Sequence, residues 1–167
     1  VVSDNTFAGN IYDAISAISS APFFSSNRAS GNGINGIAMS GTIVHDYTFV
    51  RDLTFVIGNV TLLYGHTFAA DPGVVFKFRS NSGMISAYGV FDIHGLEAEP
   101  VVFTSLADDA YGGDTNGDGS TSVPHAGDWI AHRYSAERDH PVATSSIRSA
   151  VVRFGGGSGS IFGGVVI

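Results

Sequence analysis

Between residues 46 and 104 the chain runs through short apolar-polar alternations, each closed by turn chemistry. Segments 46–50, 53–57, 60–63, 74–78, 84–87, 90–93 and 101–104 read as strands. Gly58-Asn59, Tyr64-Gly65, Asp71-Pro72-Gly73 and the segment 80–83 supply the backbone freedom and fixed φ that turns need. Successive side chains on a strand point to opposite faces, so the alternation assigns sides. Val74, Phe76 and Phe78 face a core while Val75, Lys77 and Arg79 face out. Phe91 and Ile93 likewise face in, and Asp92 and His94 face out. Seven short strands also suit an antiparallel sandwich, but two-residue Asn-Gly hairpin signals are missing between these runs. One earlier stretch has two readings. Ile11, Ile15 and Ile18 share a helical face, so a short amphipathic helix over 12–21 competes there with a strand.

The amino-terminal third repeats. A shift of 22 residues lays Ser3 on Ser25, Asn5 on Asn27, Gly9 on Gly31, Asn10 on Asn32 and Ile15 on Ile37, with Val1-Val2 over Phe23-Phe24. That period fits one rung of a parallel β-helix, in which each rung bonds to its neighbours at about 4.8 Å spacing. Asparagine suits the turns of such a coil, and Asn10 and Asn32 are expected to stack. Strand patterning breaks at 106–128, LADDAYGGDTNGDGSTSVPHAGD, which is longer than most ordinary loops. It resumes at Trp129-Ile130 and 149–154, and GGGSGSIFGGVVI reads as a turn entering another rung.

Composition narrows the partners. Of 167 residues 44% are hydrophobic and 14% are charged, against roughly 25% charged in an average domain. Long surface helices want the Lys, Glu, Gln and Arg that are scarce here, and Lys77 is the one lysine. The 12 Phe and 6 Tyr argue against disorder. A net charge of −7 without any basic cluster makes a nucleic-acid backbone an unsuitable partner. The apolar runs are too short for a membrane span, and the absence of cysteine excludes disulfides and thiol chemistry.

Within the acidic excursion, Asp114, Asn116 and Asp118 place oxygen side chains at alternate positions ahead of Gly119, as the first half of an EF-hand calcium loop does. The second half departs: the twelfth position is His125, where a bidentate glutamate is required. Asp108, Asp109 or Asp128 are the residues that could complete a calcium site if the excursion folds back. The plainer alternative is a solvated loop of Asx-turns bonded to its own backbone. No histidine pair has the spacing of a zinc site.

The stretches GNGINGIAMSGT, YTFVRDLTFVIGNVTLLYGHTFAADPGVVFKF and GVFDIHGLEAEPVVFTSLADDAYGGDTNGDGSTSVPHAGDW resemble the right-handed parallel β-helix regions of large secreted or cell-surface bacterial and archaeal proteins, similar in fold to the pectate-lyase superfamily. The elements that carry this are Pro72-Gly73, Val74 to Phe78, Val101 to Ser105, Asp114 to Gly119 and Gly127 to Trp129. The chain departs from that pattern at Ile130-Ala131-His132-Arg133. The resemblance implies an extracellular or surface location and glycans as partners. It also implies lyase or hydrolase relatives, in which carboxylates hold calcium beside a basic residue; Lys77, Arg79, Asp92, His94 and Arg153 are the outward candidates for such a stripe. Tyr47, Tyr88, Tyr111 and Tyr134 are candidate sugar platforms if exposed.

These readings combine into one expectation. The chain is an all-β, right-handed parallel β-helix of six to seven rungs, a single domain with one long acidic loop. Two repeats occupy 1–41, central rungs 42–105, the excursion 106–128 and terminal rungs 129–167. It reads as part of a longer protein, its open ends covered by flanking rungs or another copy. The expected role is structural or adhesive, with calcium ordering the loop; carbohydrate cleavage and self-assembly are the alternatives.

Overall fold

A computed structural model describes residues 1–80, 83–134, 145–157 and 165–166; at 84, 131–134 and 165–166 the description is of the backbone alone. Most of the Gly-rich turn expected at 155–164 lies outside these residues. All of the described elements are strands, and they pair in parallel. They stack in six levels. The first holds β1 (Val2–Ser3), β2 (Thr6–Ala8) and β3 (Asp13–Ile18), and the second β4 (Phe24–Ser25), β5 (Arg28–Ser30) and β6 (Ile34–Ile43). The third holds β7 (Tyr47–Phe49) and β8 (Phe55–Leu62), and the fourth β9 (Thr67–Ala70), β10 (Val75–Phe78) and β11 (Met84–Ala87). The fifth holds β12 (Val90–His94), β13 (Val101–Ser105) and β14 (Ala131–Tyr134), and the sixth β15 (Ser146–Arg148), β16 (Ala150–Val152) and β17 (Val165–Val166). The four inner levels are paired on both sides, so the parallel β-solenoid makes about four turns. Counted as levels the stack lies at the lower end of the six to seven rungs expected, and counted as full turns it falls slightly short, because the first and sixth levels are each paired on one side only.

The pairing reproduces the repeat. Val2 lies beside Phe24, Ser3 beside Ser25 and Ile15 beside Ile37, the partners that the 22-residue shift superposes. Asn10 Nδ2 donates to Asn32 Oδ1 at 2.7 Å, so the turn asparagines do stack. The competing helix is not formed. β3 is held by pairing with β6, and Ile11 and Ile18 stand 85% and 70% exposed, so backbone pairing overrides the helical spacing of the isoleucines. β9 has no counterpart among the predicted strands. With Phe68 its one large apolar residue, it is set by its neighbours in the stack, Tyr47 and Phe91.

Inward side chains line up by register. Ile37, Phe55, Phe76 and Phe103 form one column, each at most 1% exposed, with Phe76 and Phe103 stacked at 5.0 Å between ring centroids. Phe49 packs edge-on against Phe55 and Phe76 at 5.1 and 4.9 Å, joining the opposite wall to this column. Burial of each such ring contributes roughly 1.5–3 kcal/mol. Trp129 closes the core beyond Phe78, stacked at 4.2 Å, and its indole N–H donates to the Arg153 carbonyl at 2.8 Å.

Glycine is required where levels touch. A Cβ on Gly33 would lie 2.3 Å from the Ile11 carbonyl oxygen, whereas one on Gly58 would make ordinary contacts at 3.5 Å. Gly33→Ala is expected to lower stability by about 1–3 kcal/mol. Gly58→Ala is expected to raise it by about 0.4–1 kcal/mol through the unfolded chain. Urea unfolding midpoints of the two variants check the opposite signs.

Candidate functional site

The outward faces of the stacked strands carry a second buried column. Ala38, Val56, Lys77 and Thr104 are in register and point away from the core, yet none is more than 7% exposed. The cover is the acidic excursion, which folds back as a strap. It leaves β13 at Ser105, lays Gly112 against Thr54, and offers the Gly113 carbonyl to Lys77 Nζ at 2.5 Å. Its far end reaches the second level, where the Thr115 carbonyl accepts the Asn35 N–H at 2.7 Å. The return is fixed to the fifth level, where Ser105 Oγ donates to Asp128 at 2.6 Å. Lys77 therefore faces out as the alternation predicts, but it is fully buried. Burial holds its ammonium below the ordinary range, and the nearby carboxylates of Asp109, Asp108 and Asp114 oppose that shift.

Inside the strap, carboxylate oxygens of Asp109, Asp114 and Asp118 all lie within 4.8 Å of one another. At that separation two like charges repel by about 0.9 kcal/mol in water, and by several-fold more near a protein surface. The loop offsets part of this with donors. Asp114 accepts the N–H groups of Asp118 and Gly119 at 3.0 and 2.9 Å. Asp118 accepts those of Thr121 and Ser122 at 3.0 and 3.1 Å, and hydrogen bonding from Ser122 first, then from these amides, holds its carboxyl below the usual range. The Asn116 amide donates to Asp118 at 2.8 Å. Two oxygens of these residues are left over: Asp109 Oδ1 and Asn116 Oδ1 are buried and accept no hydrogen bond from the described residues. Buried acceptors without a donor are rare, and an ordered water or a cation is the usual way they are satisfied.

The remaining acidic candidates stand apart from that trio. Asp108 is spent on Thr104 Oγ1 at 2.5 Å, the Ala110 N–H at 3.2 Å and Arg153 at 3.4 Å, and Asp128 on Ser105 and the His125 N–H. The outward charges do not assemble into one stripe. Arg79 pairs with Asp13 at 2.6 Å, and Arg153 lies over the rings of Tyr111 and Phe154 at 5.4 and 4.7 Å. Asp92 and His94 sit on the other sheet, where both meet Ser146: His94 Nε2 lies 2.7 Å from the Ser146 hydroxyl, which donates to Asp92 at 2.8 Å. Of the tyrosines, Tyr47 is buried with its hydroxyl on the Pro22 carbonyl, and that burial raises its pKa. Tyr88 and Tyr111 are partly covered, and the side chain of Tyr134 falls outside the described set.

A cleft of about 520 Å³ opens beside the strap, with Asn35, Arg51, Asp52, Thr54 and Asp114 among its polar lining. Sequence reasoning passed over Arg51 and Asp52, whose signal is only a charged pair between two strands. Their groups are engaged: Arg51 with Glu99 at 2.7 Å, and both oxygens of Asp52 with Asn27.

No family model matches this chain, and neither do curated proteins or solved structures. The strand pairing itself establishes the parallel β-solenoid.

Lys77 gives the strap a measurable pH signature. From its lowered folded pKa up to the ordinary 10.5, the unfolded chain holds more protons at this position than the folded one, so stability rises with pH across that interval. Lys77→Met is expected to flatten the rise. Urea unfolding at a series of alkaline pH values reads the slope directly.

Proposed function

We propose that this chain is a non-catalytic structural segment of a secreted or cell-surface protein, a solenoid rod whose strap is ordered by a calcium ion. The observation that carries the reading is the pair of buried acceptors, Asp109 Oδ1 and Asn116 Oδ1, on the strap that also gathers the carboxylates of Asp109, Asp114 and Asp118. Calcium takes six to eight hard oxygen ligands in flexible geometry. Asp109, Asp114, Asn116 and Asp118 would supply four residues' worth, and the ion would supply charge neutralisation to carboxylates held within 4.8 Å of one another. Lys77 offsets part of that charge from beneath. The broader family reading, a rod of the pectate-lyase-like superfamily contacting glycans along its flat faces, belongs to the same proposal and rests on the motifs in the sequence.

One observation favours a second reading. Arg51, Asp52 and Asp114 line the same cleft beside the strap, and a guanidinium with carboxylates is the combination that cleavage of a uronate polysaccharide would use. The partners that Arg51 and Asp52 already hold weigh against it.

Calcium at a hundredfold above its dissociation constant is expected to add about 2.7 kcal/mol of stability. In a chain of this size that is a rise in Tm of roughly 5–10 °C. Asp109→Asn should remove most of the rise, and a chelator should abolish it. Calorimetric titration without any heat of binding would overturn the calcium reading. Unsaturated product from a uronate polysaccharide, lost in Arg51→Ala, would overturn the non-catalytic one.

A further inference from the structure

Lys77 is the one lysine of the chain, and it is fully buried on the outward side of β10. The other residues of its column, Ala38, Val56 and Thr104, carry no charge. Burying an ammonium is costly unless hydrogen bonds and opposite charge compensate it. The Gly113 carbonyl supplies the hydrogen bond. The charge comes from the strap, which over residues 106–128 holds five aspartates and neither lysine nor arginine. Burial disfavours the charged form of Lys77, and Asp109, Asp108 and Asp114, in that order, favour it. Two of the five aspartates have other partners: Asp108 faces Arg153, and Asp128 is bonded to Ser105 and the His125 N–H. The remaining three, Asp109, Asp114 and Asp118, are the ones gathered within 4.8 Å. Three carboxylates less one ammonium leave two negative charges, which a single divalent ion cancels.

We propose that Lys77 sets the charge of this site, fitting it to a divalent ion and holding its affinity down. The inference rests on the calcium reading of the strap and adds to it the residue that selects the ion. An ammonium beside the trio repels any cation that enters, and the repulsion grows in proportion to the charge of the ion. A trivalent ion is therefore penalised more than calcium. A lysine that only seats the strap would act with the opposite sign. Its hydrogen bond holds Gly113, the residue before Asp114, so losing a mere support would loosen the loop and weaken every ion alike.

The probes are calcium, followed by calorimetry, and terbium, followed by its luminescence, each titrated onto the intact chain and onto two variants. Lys77→Gln removes the charge and keeps a donor for Gly113; Lys77→Met removes both. Loss of one positive charge is expected to tighten calcium about tenfold and terbium about thirtyfold, in keeping with their charges. Equal gains for the two ions, unchanged affinity or weaker binding of both overturns the proposal. So does loss of the folded state in both variants, read by circular dichroism, since that makes the part of Lys77 structural. Binding by the intact chain without the charge-dependent gain overturns this inference alone. Absence of binding by all three chains overturns the calcium reading together with it.

Discussion

The hydrogen bonds that join one level to the next run along the solenoid axis, and every side-chain column inherits its place from them. Ile37, Phe55, Phe76 and Phe103 meet in the core because their backbones are paired in sequence, with the register from one to the next set by the lengths of the turns between. The same pairing puts Ala38, Val56, Lys77 and Thr104 in line on the opposite surface. A slip of one residue in any level would exchange the two columns, taking phenylalanines out of the core and carrying a lysine into it. The stacking of Asn5 on Asn27 and of Asn10 on Asn32 opposes such a slip at the turns, since a displaced asparagine loses two hydrogen bonds to one side-chain oxygen at once.

Much of this was legible in the residues. The amino-terminal register could be read directly, because Asn5, Asn10 and Ile15 recur one coil later with their neighbours, and repetition in sequence becomes adjacency in a stacked fold. The sides of β10 and β12 followed from simple alternation. β3 admits two readings because three isoleucines at helical spacing look the same whether a helix or a turn and an exposed strand face holds them; the partner strand decides for the rung, and it lies elsewhere in the chain. β9 was hidden for the same reason.

The candidate site was legible in composition and only partly in arrangement. Asp114, Asn116 and Asp118 advertise themselves by spacing, and Asp109 joins Asp114 and Asp118 through the fold of the strap. Asp108 and Asp128 look equivalent in sequence but are committed to Thr104, Arg153 and Ser105. Lys77 shows the limit most clearly. Alternation places it outside, and outside means solvent only while nothing lies on top. Its burial depends on where residues 112–115 land, which no local pattern encodes.

A solenoid usually behaves as a one-dimensional array, each coil touching only the next, so that disorder can enter at an end and advance coil by coil. The strap alters that connectivity. It leaves the fifth level, touches Lys77 in the fourth and Thr54 at the entry to the third, and binds Asn35 in the second before returning. Levels that are not neighbours are thereby coupled through a single segment, and the second cannot come apart without releasing the cover of the fourth. The inner coils consequently form one cooperative block instead of a chain of independent links, and fraying is confined to the levels the strap does not reach.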